Sequence, residues 1–198
     1  MKKWIQHALL SGLLGLLATS GVVAQGAASG GATNARLELA LNYQGAYAYS
    51  SAGQEFWMLG GGAQLEGRIA HGLGAVVDVA GLHAANIHNS GVNLDMMAAL
   101  AGPRYNWRLA GRSGLTLFAQ ALPGAVYGFH SVFPSAAGAR ESATGLALKC
   151  GGGVNYAFSP RLGLRLIEAD WLHTQLPNGA ENTQNNLFFA SGLVIRLR

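Results

Sequence analysis

Four histidines, His83, His88, His130 and His173, fall in or beside the connections between longer patterned stretches, and Ser131 follows His130 directly. A serine nucleophile needs a base within hydrogen-bond reach and a third group that orients that base. The sequence shows no acid matched to His130 in that role. If the chain continues as a strand there, neighbours 130 and 131 point to opposite faces, which argues against a dyad; in a loop that restriction lapses. Four histidines are enough to hold a metal, but none of them stands at an HxH or HxxxH spacing. Cys150 is the single cysteine, so neither an internal disulfide nor a cysteine-based zinc site is available. The triple glycines Gly60–Gly62 and Gly151–Gly153 precede no lysine-bearing helix and are not phosphate loops. The expectation is a chain without catalytic residues, metal or cofactor.

A second set of chemically active residues is far more regular. In ARLELALNYQ the polar groups Arg36, Glu38, Asn42 and Gln44 alternate with Leu37, Leu39, Leu41 and Tyr43. Successive side chains of a strand point to opposite faces, so this period of two sorts one polar face from one apolar face. The same parity collects Gln64, Glu66 and Arg68, then Asp78, Arg104 with Asn106, Lys149 with Asn155, and Arg196. Mixed charges on one face of several strands suit a crowded interior in which they pair, because a buried unpaired charge is costly. One stretch breaks the rule. Leu162, Leu164 and Leu166 alternate with Arg165, and unbroken parity would carry Glu168 and Asp170 onto the apolar face. A β-bulge near Ile167 exchanges the faces, and returns both acids to the side of Arg165. The expected polar network is Glu38, Glu66, Arg68, Asp78, Arg104, Lys149, Arg165, Glu168, Asp170 and Arg196.

The elements that carry these residues are eight alternating segments, near 35–48, 55–69, 73–84, 94–107, 114–128, 144–158, 161–173 and 186–197. Most run to about 12–15 residues, against about five or six for soluble strands and about 9–11 for a tilted membrane strand. Their connections alternate in length. AHGLG, RLAGRSG and SPRLG are short; YSSAGQ, AANIHNSGVN, HSVFPSAAGARES and TQLPNGAENTQN are long. Short turns at one rim and long loops at the other are the pattern of outer-membrane barrels. Tyr105, Trp107, Tyr156 and Phe158 stand beside the short turns, and Tyr47, Tyr49, Phe56, Trp57, Tyr127, Phe129 and Trp171 toward the long loops, as two aromatic girdles require. Arginines 68, 108, 112, 161, 196 and 198 cluster near the short turns.

Composition and address agree. Of 198 residues only 11% are charged while half are hydrophobic, against about 25% charged in soluble domains. No apolar run of about 18 residues follows the leader, so no membrane helix is evident. Lys2 and Lys3, the apolar stretch 8–18, and the small residues before Gln25 form a secretory leader, with cleavage expected between Ala24 and Gln25. The domains read as a signal peptide over 1–24, a flexible lead-in over 25–34 and a barrel over 35–198. The net charge of +4 would suit nucleic acid, but export makes that partner improbable.

The stretches GPRYNWRLAGRSGLTLFAQALPGAVYG, LALKCGGGVNYAFSPRLGLRLIEADWL and QNNLFFASGLVIRLR resemble the small OmpA-like outer-membrane β-barrel proteins. The resemblance implies an all-β fold, an eight-stranded antiparallel up-and-down transmembrane barrel. It also implies residence in the outer membrane of a double-membraned bacterium and a structural or surface role. Two departures stand out: the chain stops at the eighth strand, without the peptidoglycan-binding domain of full-length OmpA, and it ends in Arg198 where such barrels commonly end in an aromatic residue. Expected partners are outer-membrane lipid and lipopolysaccharide and the barrel-assembly machinery, with the chain a monomer. Three functions stay open: a non-enzymatic barrel with a side-chain-filled lumen, a narrow passive pore, and a lipid A-modifying enzyme. A soluble ligand-carrying barrel would need apolar inward residues, whereas the inward set is expected to be charged.

Overall fold

The computed structural model describes residues 37–49, 55–109, 114–136, 138–179 and 182–197. The leader with its Ala24–Gln25 junction, the lead-in, Arg36 and Arg198 lie outside the described residues.

Eight strands follow one another: β1 (Leu37–Tyr49), β2 (Glu55–Ala70), β3 (Leu73–Ala84), β4 (Leu94–Arg108), β5 (Leu115–Ser135), β6 (Gly138–Ala157), β7 (Leu162–Thr174) and β8 (Gln184–Leu197). Each pairs antiparallel with its neighbour, and β8 returns to pair with β1, so the sheet closes as an up-and-down barrel. Closure leaves no strand edge unpaired, which is what a sheet immersed in hydrocarbon needs.

The polarity is that of a membrane protein. Along β1, Glu38, Ala40, Asn42 and Gln44 are buried while Leu37, Leu41 and Tyr43 are exposed. Val77, Met97, Leu146, Leu164 and Leu193 continue the exposed belt around the other strands. Aromatic rings pack against one another at its two margins: Tyr105 tilted against Trp107, centroids 4.6 Å apart, on the short-turn side, and Tyr127 stacked on Phe129, 5.4 Å, on the long-loop side.

Local chemistry sets the turns. His71 and Gly72 both have positive φ, 43° and 91°, between the paired residues Ala70 and Leu73. That is the two-residue turn whose twist matches a hairpin. The glycines of β6 answer a packing need. A Cβ on Gly151 would lie 2.5 Å from Asp170 Oδ1, and one on Gly153 2.8 Å from the Phe118 ring, so neither position has room for a side chain.

The bulge in β7 takes the form parity demands. Arg165 pairs with Gly192 and Glu168 with Ala190, leaving Leu166 and Ile167 opposite Ser191 alone. Leu166 and Ile167 both face outward, at 49% and 50% exposure, while Glu168 and Asp170 turn inward. Ser191 Oγ donates to the Arg165 carbonyl at 2.9 Å, satisfying a group beside the interrupted ladder.

One connection differs from expectation. HSVFPSAAGARES is not an open loop: β5 and β6 run on as a hairpin, Phe133 opposite Arg140 and Ser135 opposite Gly138. The extension includes a register shift between Phe129 and Phe133, where His130 adopts φ of 55°. The extra residues turn Phe133 into the barrel mouth, where it is buried, and leave Val132 exposed. Burial of that ring rewards an extension that the polar sequence around it does not advertise.

The belt generates a test. Val77 lies midway along β3 and is 46% exposed. In a lipid-facing site Val77→Arg costs about 2–4 kcal/mol; on a water-facing surface it stays within about 0.5 kcal/mol. Urea unfolding of the protein refolded into lipid vesicles distinguishes the two, and the larger loss is expected.

Candidate functional site

The lumen divides into two layers. Toward the short turns it is a paired network of charge. Glu38 accepts from Arg68 at 2.7 Å and from Arg196 at 3.2 Å. Glu66 accepts from Arg104 Nη1 at 3.2 Å and from Asn106 Nδ2 at 2.6 Å. Deeper, Lys149 Nζ bonds Asp78 and lies 3.1 Å from Glu168 and 3.9 Å from Asp170. Arg165 pairs with Glu168 across the bulge and reaches Asn155 Oδ1 at 3.2 Å. Gln120 ties the parts together. Its Oε1 accepts from Arg104, while its Nε2 donates to Glu168 at 3.0 Å and to Asp170 at 3.2 Å.

The ten residues expected in the network stand on the inner wall of seven strands; Arg68 Nε, 4.0 Å from Glu66, links the Glu38 group to the rest. Five are acidic (Glu38, Glu66, Asp78, Glu168, Asp170) and five basic (Arg68, Arg104, Lys149, Arg165, Arg196), so each acid has a base within the same layer. Arg104, Arg165, Lys149, Glu66 and Glu168 are among the most deeply buried large side chains.

Two members are neither among the expected ten nor among the inward polar residues read beside them. Gln120 is one. The other is Phe118, whose ring lies 4.3 Å from the Arg104 guanidinium and 4.8 Å from that of Arg165. Their signal was the inward parity of β5, where Thr116, Phe118, Gln120 and Leu122 are all buried. A ring face attracts a desolvated cation, and both guanidinium groups also bond Gln64 Oε1.

Toward the long loops the inward set is mainly apolar, with Thr174 and Asn186 the buried polar members, which corrects the expectation of a charged interior throughout. Met58, Leu82, Met96, Val126, Leu172 and Phe188 form a buried cluster, and Phe133 and Leu176 fold in from the loop end to join it. The boundary is sharp: Lys149 Nζ sits 4.3 Å over the Phe188 ring, so one side chain of the network touches the apolar layer.

The histidines take a different place. His130 does have an acidic partner, Asp95, contrary to the sequence reading. The Asp95 carboxylate accepts from His130 Nδ1 and from His83 Nδ1, each at 2.6 Å. Asp95 and His83 are directly opposite across the β3–β4 ladder, and Asp95 lies opposite Phe129 across β4–β5. This trio stands on the outer face of the long-loop rim. His173 pairs separately, with Asn185 at 2.9 Å. Ser131 lines the inside of the barrel mouth, and among the described residues no hydroxyl bonds His83 or His130. No group of histidine, cysteine and acidic side chains among the described residues is arranged to hold a metal ion.

No family model matches the chain, and no curated protein matches its sequence. Solved structures do. Neisserial surface protein A is similar over 81% of this chain and 97% of its own, with a TM-score of 0.62 at 17% identity. Ail, the attachment invasion locus protein of Yersinia pestis, is similar over 83% of this chain and 100% of its own, with a TM-score of 0.56 at 13% identity. Ail in complex with the heparin analogue sucrose octasulfate gives 0.54 at 15% identity. The fold is that of the small outer-membrane β-barrels. In barrels of this size the interior is just wide enough for side chains to fill it, and here charge-paired side chains and an apolar cluster do so in two layers.

Lys149 is the crosspiece of the polar layer. Lys149→Met leaves Asp78 buried without its cation, and breaking one side of a buried pair costs about 3–5 kcal/mol. The expected readout is a lower urea midpoint for refolded protein. Adding Asp78→Leu to Lys149→Met removes the stranded charge and recovers a large part of the loss.

Proposed function

We propose that this chain is a non-enzymatic β-barrel of the bacterial outer membrane with a structural, envelope-stabilising or surface-interaction role and no conducting path. The observation that carries this is the plug: Arg104, Arg165, Lys149 and Glu168 are buried in the lumen and bonded to one another or to shared amides. Moving an ion through that layer means breaking paired charges in a narrow space, which is costly. Lipid and lipopolysaccharide surround the exposed belt, the barrel-assembly machinery inserts the chain after cleavage at Ala24, and the protein works as a monomer. The β5–β6 hairpin, whose outer residues Ala139, Arg140 and Glu141 are exposed, is the part best placed to meet a surface partner. The similarity to a Neisserial surface protein and to an attachment invasion locus protein supports a surface role.

Single-channel recording in planar bilayers tests the sealed lumen. The expected trace is flat, and steady opening of the wild-type protein would transfer the proposal to the pore. Fractionation with a heat-shift gel tests the location, since a soluble periplasmic protein with no shift on boiling would overturn it.

A second reading has one observation in its favour, the His130–Asp95 pair at the rim. A base oriented by an acid is two thirds of a hydrolytic triad. The nucleophile is the missing part, because Ser131 lines the interior. Mass spectrometry of lipid A from cells with and without the protein decides: no mass difference is expected, and a difference abolished by His130→Ala would establish the enzyme.

A further inference from the structure

Above the plug, the barrel mouth contains a cavity of about 330 Å³. Its walls are mainly apolar: Met58, Leu94, Met96 and Phe133 from the strands, with Ile87 and Leu176 from the loops. It is reached from the loop end, where Ser90 and Val132 are exposed. The next inward residue of β8 beyond the lining's Asn186 is the buried Phe188, with Lys149 Nζ 4.3 Å over its ring. An apolar cavity of roughly 150 Å³ holds one benzene ring, so this one suits two fused rings or a chain of about ten carbons.

Most polar groups deep in the lining are bonded within the protein. Gln184 donates to the Leu176 carbonyl at 2.8 Å and accepts from the Leu176 N–H at 3.1 Å and from Thr174 Oγ1 at 2.8 Å. Ser90 Oγ donates to the Ile87 carbonyl at 2.6 Å. Asn186 is different. It is 3% exposed, on the inward parity of β8, and its Oδ1 has no hydrogen-bond partner. A buried acceptor without a donor is an expensive feature to maintain. A water molecule needs two to four polar partners to settle there, and the surrounding walls are mainly hydrocarbon.

We propose that the mouth cavity is a binding site for a small apolar molecule carrying a single hydroxyl or N–H donor, of the size of a two-ring phenol or an indole. The rings pack against Met58, Met96, Leu94 and Phe133, and the donor bonds Asn186 Oδ1. With the paired plug beneath it, the site holds its ligand and does not pass it through the barrel. This assignment goes beyond the surface role and stands whether or not that role holds.

The test uses the full chain in lipid nanodiscs, with empty nanodiscs subtracted, and two probes, 1-naphthol and naphthalene, measured by equilibrium dialysis. Saturable binding of one probe molecule per barrel is expected, with 1-naphthol favoured over naphthalene by about five- to tenfold through its hydroxyl. Asn186→Leu should erase that preference and keep naphthalene binding. Ala48→Phe, which fills the cavity from its wall, should abolish binding of both. Each variant is first checked for the heat shift of a folded barrel. Binding no greater than to empty nanodiscs overturns the proposal, and so does a hydroxyl preference that survives Asn186→Leu. Should Asn186→Leu not fold, Ala48→Phe decides, and undiminished binding there overturns it equally.

Discussion

A polypeptide in hydrocarbon has no water to bond its backbone, so every N–H and C=O must find a partner within the protein. The ladder from Leu37–Leu197 to Tyr47–Leu187, which joins the last strand to the first, meets that demand by removing both edges of the sheet. The rest of the interior follows from it. Closing eight strands leaves a lumen about as wide as the side chains that fill it. Ionised groups there have little bulk water to solvate them, so they are stable only against one another. Arg104 illustrates the result: from β4 it bonds Gln64 and Glu66 on β2 and Gln120 on β5, joining strands across the lumen as well as along the wall.

The division of the lumen into a charged layer and an apolar layer has a consequence for the loops. Charged pairs need geometric complementarity, and the regular strands near the short turns supply it. The apolar layer asks only for volume and shape, which loops can help to provide. Ile87, Phe133 and Leu176 all come from the long-loop end and pack on or beside the inner cluster. The connection after β3 is held further by Asn86, whose N–H bonds Asn93 Oδ1 and whose own Oδ1 accepts from Gly91 N–H. The rim is thus anchored inward by hydrophobic burial and locally by asparagine side chains, a typical source of turn stability.

The strands and their two faces were legible in the sequence because parity is a local property: each residue's side follows from its neighbour's. The bulge was legible for the same reason, since Glu168 and Asp170 have an affordable position only on the inner wall. Register is not local, and what depends on it was hidden. Asp95 and His130 are far apart in sequence and meet only because Asp95 falls opposite Phe129. The continuation of β5 and β6 beyond Phe129 was hidden too. It depends on an unusual backbone angle at His130 and on the gain from burying Phe133, and a stretch containing Pro134 and several small residues signals neither. The apolar half of the lumen obeys the same parity as the charged half, with Met58, Leu82 and Met96 all inward. An interior judged by its charged members alone overlooks them.

The trio of His83, Asp95 and His130 also locates the membrane boundary. Asp95 points outward, and a carboxylate in hydrocarbon would be costly. Met97, the next outward residue toward the short turns, is exposed and apolar, and Trp107 ends the belt on the same strand. About ten residues separate Met97 from Trp107; at about 3.4 Å per residue and a tilt of about 40° they rise roughly 26 Å. The apolar band of such barrels is about 25 Å tall. Asp95 therefore falls about 5 Å beyond it, at the level of lipid headgroups, where its two histidines offer it hydrogen bonds and Phe129 packs edge-on against His130 at 4.9 Å. The position of one outward acid is thus explained by the same strand geometry that turns the other acids inward, and the belt, the girdles and the paired lumen are consequences of one period of two.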